Sequence, residues 1–283
     1  MDRLFTYILF LLNLSGTFSK SKYIYIEDQK TWNAAQNYCR EKYTDLAPVS
    51  NEQDLNKLQK MRPSGLVWVG LQRILGTNNW TWSGGGPMEV AWTNTQPDNG
   101  ELDTNGYIDD KGLSDGKEAD SRAFFCYSPT VVNEKKTWEE ALEYCRKTYS
   151  DLASVASVTE MLLIQRELKK QNTTGPFWIG LHFFFKDWLW VDGQELRYAS
   201  WGQGVKPTCP EVQSAECAAL QAMEWSASDT TSASSGTSVI GSVYHFLANT
   251  LWRDKATLAA TVYNSGGVWG AHNCEKKLNF ICY

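Results

Sequence analysis

The chain is poor in histidine: His182, His245 and His272 are its only three, and none lies in its first half. It has no Gly-x-Ser-x-Gly and no phosphate-binding glycine loop, so neither a nucleophile elbow nor a nucleotide cradle is on offer. It has no Cys-x-x-Cys, which removes the usual spacing of a structural zinc site. It has no excess of positive charge; at a net charge of −5 it lacks the basic footprint of a nucleic-acid binder. Beyond the N-terminus it has no apolar run of the ~20 residues that span a bilayer. Its paired Asp and Glu residues sit on acidic stretches, where a solvated face is the commoner explanation. The chain is not read as an enzyme.

The N-terminus reads as a secretory signal over residues 1–19. Arg3 supplies the positive start, Leu4 to Leu14 the apolar core, and Ser15, Gly16, Thr17 and Ser19 the small residues that suit cleavage. The rival reading, an uncleaved anchor, fails on length, because the core falls well short of a span. A secreted, extracellular product without a membrane span is expected.

One stretch occurs twice. Lys30-Thr31-Trp32, Tyr38-Cys39-Arg40 and Asp45-Leu46-Ala47 return as Lys136-Thr137-Trp138, Tyr144-Cys145-Arg146 and Asp151-Leu152-Ala153. Further on, Trp68-Val69-Gly70-Leu71 returns as Trp178-Ile179-Gly180-Leu181, Trp80-Thr81-Trp82 as Trp188-Leu189-Trp190, and Phe124-Phe125-Cys126-Tyr127 as Phe280-Ile281-Cys282-Tyr283. Repetition on that scale means two copies of a whole domain, assigned to residues 23–127 and 131–283, because solenoid units are far shorter. Only Ser128-Pro129-Thr130 joins them, which limits their relative freedom. Several of the thirteen tryptophans fall at matching positions and are read as core. Tyr23 to Ile26 reads as a strand, and Trp32, Ala35 and Cys39 as the buried face of a helix. Ser50-Asn51-Glu52-Gln53 and Ser157-Val158-Thr159-Glu160 read as capping boxes opening second helices, and Thr137 with Glu140 as a cap on the second domain's first helix.

A helix carrying a cysteine, a Trp-Ile/Val-Gly-Leu strand, a Trp-x-Trp and a closing Phe-Ile/Phe-Cys-Tyr together resemble the C-type lectin-like domain. The resemblance implies an α+β fold for each copy: two helices, two small antiparallel sheets and a long loop region that carries the ligand site. Fold alone does not settle function. The repeat pairs Cys39 with Cys126 and Cys145 with Cys282, and the family's inner bridge falls on Cys217 and Cys274. In the first domain the matching positions lie near Gly106 and Glu118, so both partners are missing together. Cys209 is left over: a free thiol, a rival partner for Cys274, or the link of a disulfide-bonded dimer.

In C-type lectins a Gln-Pro-Asp or Glu-Pro-Asn tripeptide gives two side-chain oxygens to a calcium ion, with its proline typically cis. Gln96-Pro97-Asp98 matches it, and the family associates Gln-Pro-Asp with galactose. Glu101 stands for the family's next glutamate, out of register and with Asp103 as its rival. Asp115 in Leu113-Ser114-Asp115 retains only the Asp of the family's Trp-Asn-Asp. The resemblance thus assigns both metal and sugar contacts to Gln96, Asp98, Glu101 and Asp115. Between Asp98 and Asp115 stand six carboxylates, which repel one another unless a cation sits among them. The bland alternative is a solvated acidic loop around a proline turn, and the aromatic platform of galactose binders is absent. In the second domain Trp201-Gly202-Gln203-Gly204-Val205 and Trp269-Gly270-Ala271 leave no oxygen donors, so no such site is expected there.

Three stretches fall outside these patterns. Residues 221–265 form an insertion rich in Ser, Thr, Ala and Gly, with a helical turn or two conceivable between His245 and Thr261. It is functional, disordered, or no part of the natural mature product, as intron sequence carried through translation would be, and disorder is preferred. Asn172-Thr173-Thr174 and Asn79-Trp80-Thr81 are glycosylation sequons, the second set among tryptophans expected to be buried. The main reading is a secreted calcium-dependent lectin binding a glycan or glycoprotein through the first domain only, as in innate immune recognition. The alternative is a calcium-independent module holding a protein receptor; ice binding on the same fold is a third class that nothing singles out.

Overall fold

The computed structural model describes residues 21–98, 100, 102–171, 175–202, 206–207, 216–222 and 267–283. The expected signal segment, almost all of the insertion, Cys209, Glu101 and Asn172 lie outside them. The first unit runs β1 (Tyr23–Lys30), α1 (Trp32–Lys42), β2 (Asp45–Leu46), α2 (Glu52–Met61), β3 (Val67–Arg73), β4 (Trp80–Trp82), β5 (Asp103–Ile108), β6 (Leu113–Lys117) and β7 (Arg122–Tyr127). The second repeats it as β8 (Thr130–Lys136), α3 (Trp138–Thr148), α4 (Val158–Lys170), β9 (Pro176–Phe184), β10 (Asp187–Trp190), β11 (Cys217–Gln221), β12 (Val268–His272) and β13 (Leu278–Cys282). The α+β class is as the sequence implies. The small sheets of each unit are continuous, in the orders β1-β7-β3-β5-β6 and β8-β13-β9-β11-β12, with β4 on β3 and β10 on β9. The β3–β7 and β9–β13 pairs run parallel, so each sheet is mixed rather than purely antiparallel.

The repeated residues account for the repeated geometry. Trp32 and Trp138 open the first helix of each unit and donate their indole N–H to the Val69 and Ile179 carbonyls, at 2.8 and 2.9 Å. Trp68 and Trp178, on the facing strands, donate to the Lys30 and Lys136 carbonyls at 3.1 and 3.0 Å. Each large ring is buried and its one polar atom is satisfied, which is what a core tryptophan requires. Disulfides join Cys39 to Cys126, Cys145 to Cys282 and Cys217 to Cys274. Gly70 and Gly180 are demanded by close approach: a Cβ at either would stand 2.9 or 2.8 Å from the Leu46 or Leu152 carbonyl oxygen.

Helix capping differs from the sequence reading in one informative place. Thr137 and Glu140 close a full capping box on α3. The cap of α2, however, is Asn51, whose Oδ1 accepts the Asp54 N–H at 2.8 Å. Ser50 instead turns its hydroxyl to the second unit, 2.5 Å from Glu160 Oε1 and 2.9 Å from Ser157 Oγ. Ser157 caps α4, but Glu160 takes the Ala156 N–H rather than that of the cap residue.

The units meet through these helix N-termini. Lys22 sits between them, 3.0 Å from Asp54 Oδ2 and 2.7 Å from Glu160 Oε1, with all three side chains at most 2% exposed. Burial alone would pull the Lys22 pKa down, but the Asp54 and Glu160 carboxylates outweigh it and hold the ammonium charged. The turn after β4 lays Gly84 and Gly86 on Leu163 and Thr159 of α4. In return, the turn after β10 bonds to α2, where Gln53 Nε2 donates to the Gly193 carbonyl and Gln194 Nε2 to Asp54. Tyr127 and Tyr283, the matching closing residues, share a 2.5 Å hydroxyl contact, and Tyr283 donates onward to Ser154 O. Asp45, fully buried, pairs with Arg40 of its own unit and Arg166 of the other. One hydrophobic core runs through both units, with Leu55, Leu58 and Val49 of the first in the same cluster as Val155, Met161 and Ile164 of the second.

Two expectations follow. Lys22→Ala strands two buried carboxylates and is expected to cost about 3–5 kcal/mol, read from urea unfolding. Burial already raises the Glu160 pKa, with Lys22 the main opposing influence; without that lysine the upward shift grows. A carboxyl whose folded pKa lies above its unfolded value keeps its proton longer in the folded state. Stability of the variant is therefore expected to rise from about pH 7 toward about pH 5. Gly70→Ala, which presses a methyl onto a backbone carbonyl, is expected to lose about 1–3 kcal/mol by the same measurement.

Candidate functional site

In the first unit the long loop leaves β4 and returns as β5, and its turn is fixed at both ends. Trp92 packs edge-on against Trp80, with ring centroids 4.9 Å apart. Thr93 holds the loop to β6 by its N–H and its hydroxyl, both donated to the Leu113 carbonyl at 3.0 and 2.8 Å. Sequence reasoning missed Thr93; a lone threonine ahead of a turn carries no pattern that would have found it. Thr95 takes a positive φ of 73°, and the Gln96–Pro97 peptide is cis, as the resemblance implies.

That turn brings three of the sequence-assigned residues together. The Asp98 N–H donates to Asp115 Oδ1 at 3.2 Å, and the Asp115 N–H to Gln96 Oε1 at 3.4 Å. Asp98 Oδ1 in turn accepts the Gly100 N–H at 3.2 Å. Asp115 is buried on β6, Gln96 half-buried and Asp98 exposed, so the group runs from the sheet out to solvent. Asp103 folds its carboxylate back onto Gly100, leaving no room there for a Cβ. Glu101 lies outside the described residues. Among those described, the carboxylates of Asp98, Asp103 and Asp115 do not gather as a group of three within 4.8 Å. An amide and two carboxylates are hard oxygen donors, the chemistry calcium takes. One oxygen of each carboxylate is spent on a backbone N–H.

In the second unit the described residues around the matching strands include a cluster of rings. Trp201 and Trp269 are buried with centroids 5.6 Å apart, Trp188 packs on Trp201 and Trp190 on Trp269. Ala271 lies opposite Ala218 in the ladder of the second unit where Asp115 lies opposite Gly106 in that of the first, so this carboxylate has no counterpart there. Beneath the neighbouring face lies His182, whose ring is set against Trp138 and stacked on Phe184 at 4.7 and 4.0 Å. Burial pushes its pKa down to about 4, so the imidazole is neutral at physiological pH. Of the sequons, Asn79 is half-buried in the turn before β4, between the buried Trp80 and the N–H contact to Thr77.

Comparison with known proteins agrees with this architecture. The sequence pattern described as the lectin C-type domain matches twice, at residues 28–128 and 134–240. A C-type lectin domain family 2 member D-related protein of Rattus norvegicus is 32% identical over 109 residues, 38% of this chain and 44% of the relative. Lymphocyte antigen 75 of Homo sapiens is 24% identical over 229 residues, 66% of this chain and 13% of that protein. Among solved structures, the mouse scavenger receptor C-type lectin carbohydrate-recognition domain is 20% identical over 39% of this chain and 90% of its own, with a TM-score of 0.36. Human lithostathine is 22% identical over 54% of this chain and 88% of its own, with a TM-score of 0.35. The chain thus spans less than half the length of both curated relatives. With both of its repeats matched, and more than half of its length covered, this chain belongs to the C-type lectin domain family.

Proposed function

We propose that the chain is a carbohydrate-binding lectin that recognises a glycan through a calcium ion held by its first unit alone. The observation that carries this reading is the junction of Gln96, Asp98 and Asp115, which the loop and β6 bring together by direct hydrogen bonds. Calcium takes six to eight oxygens and leaves room for sugar hydroxyls in its shell. Glu101 or Asp103 would complete the protein's share. The Gln-Pro-Asp order leans toward galactose, by likeness to the family. The alanine, Ala271, at the second unit's counterpart of Asp115 supports a single site per chain. With this reading go residues 1–19 as a cleaved signal, secretion, domains at 23–127 and 131–283, a role in innate immune recognition, and glycans at Asn172 or Asn79. Cys209 would be the point of any disulfide-linked dimer.

A second reading, a calcium-independent module for a protein receptor, draws on Leu102. It stands 64% exposed in the same loop, where a galactose binder would present an aromatic ring. Calcium titration of the full chain by calorimetry separates the two. One saturable site is expected, weakened at least about tenfold by Asp98→Ala, since ligand charge count sets calcium affinity. At a hundredfold excess over Kd, calcium is expected to stabilise the wild type by about 2.7 kcal/mol and Asp115→Asn not at all. No heat at millimolar calcium, or ligand capture that survives chelator, would leave the protein-receptor reading in its place.

A further inference from the structure

We infer that the second unit holds a latent site for a thiophilic divalent cation such as Zn2+, made of His182, Cys217 and Cys274, which opens when the Cys217–Cys274 disulfide is reduced. The ligand atoms of these three residues already lie within 4.8 Å of one another. They come from three places: His182 from β9, Cys217 from the adjacent β11, directly opposite it in the ladder, and Cys274 from the turn between β12 and β13. Directly opposite residues of an antiparallel pair project to one face, so the sheet itself fixes this juxtaposition.

The histidine is set as a ligand rather than as a core filler. Its Nδ1 lies 3.1 Å from the Phe183 carbonyl oxygen. A carbonyl only accepts, so Nδ1 carries the proton and Nε2 presents its lone pair. That is the outer hydrogen bond by which metal-binding histidines are oriented. What Nε2 meets is Cys274 Sγ, at 3.9 Å. A disulfide sulfur has no proton to donate, so in the oxidised state this contact supplies the lone pair with no hydrogen bond. A nitrogen and a sulfur on one tetrahedral zinc ion stand about 3.6 Å apart, and two sulfurs about 3.8 Å. His182 is therefore almost in place, and only the sulfurs need part from their bonded 2.03 Å.

The internal repeat sharpens the point. In the first unit the ladder puts Gln72 opposite Asn105, where the second has His182 opposite Cys217. Glu118 accepts the Trp32 N–H where Cys274 accepts that of Trp138. The unit without the bridge also lacks the histidine. Access differs among the bridges as well: all four cysteines of the other two are fully buried, whereas Cys274 is half-buried.

The chemistry balances with a dithiol as reductant. Two electrons and two protons pass to the Cys217 and Cys274 sulfurs as the dithiol closes to its own disulfide. The cation then displaces both thiol protons to solvent, is held by two thiolates and Nε2, and takes a water as its fourth ligand.

Cobalt(II) titration of the full chain, carrying Cys209→Ser and mildly reduced under native conditions, tests this. One equivalent of cobalt is expected, with thiolate charge-transfer absorption and tetrahedral d–d bands that zinc abolishes, and no spectrum from the oxidised chain. Cys274→Ser is expected to lose the spectrum. His182→Gln, which installs the first unit's residue, is expected to weaken binding at least about tenfold, the lower end of what even an outer-shell change costs. Circular dichroism of each reduced sample checks the fold, and an unfolded reduced wild type without the tetrahedral spectrum counts against the site. So does unchanged affinity in His182→Gln, which would mean binding by cysteines alone, and so does a spectrum that persists when both Cys217 and Cys274 are serine.

Discussion

The contact on which the arrangement of this chain depends is the buried lysine between two carboxylates. Lys22 enters from the start of the first unit and meets Asp54, three residues into one helix from its cap, and Glu160, at the same place in the other. Each carboxylate also faces the positive end of its own helix, so both the lysine and the helix end favour its charge. Withdrawing these charges from water is costly, and only near-complete pairing offsets it. The result is specificity of placement: the clamp is satisfied in one relative position of the two units. The tyrosine pair, the Asp45–Arg166 bridge and the two reciprocal turns all fit that same position.

Much of this fold was legible in the sequence because the repeat doubles every signal. Tryptophans that recur at matching places are core, and the indoles of Trp32 and Trp138, like those of Trp68 and Trp178, find matching carbonyls. The cap on the second unit's first helix was legible too, since Thr137 and Glu140 act on their own backbone. What failed was Ser50. Its sequence neighbourhood describes a cap, but a serine hydroxyl goes to the strongest acceptor in reach, and Glu160 of the other unit supplies one. Lys22 carried no signal for the same reason. A lone lysine before a strand looks solvated until the chain places two acids beside it.

The candidate site was legible in part. Gln96, Asp98 and Asp115 were assigned by likeness to a motif, and the loop does unite them, although 17 residues separate the last two. The threonine that anchors the loop carried no pattern. The second unit's tryptophans were legible as lost donors but not as a packed cluster, because ring-to-ring geometry depends on strands brought together from far apart in sequence. His182 was counted only as one of few histidines; its place beside a disulfide is a property of the ladder.

These observations join the described parts of both units, with an oxygen-rich loop on the first and a sulfur–imidazole corner on the second. The claim at the centre is that neither unit stands alone, because one core and one clamp serve both. Differential scanning calorimetry of the full chain addresses it most directly. A single transition, with calorimetric and van't Hoff enthalpies equal, is what the shared core requires. Two separate transitions, each with the enthalpy of half the chain, would contradict it.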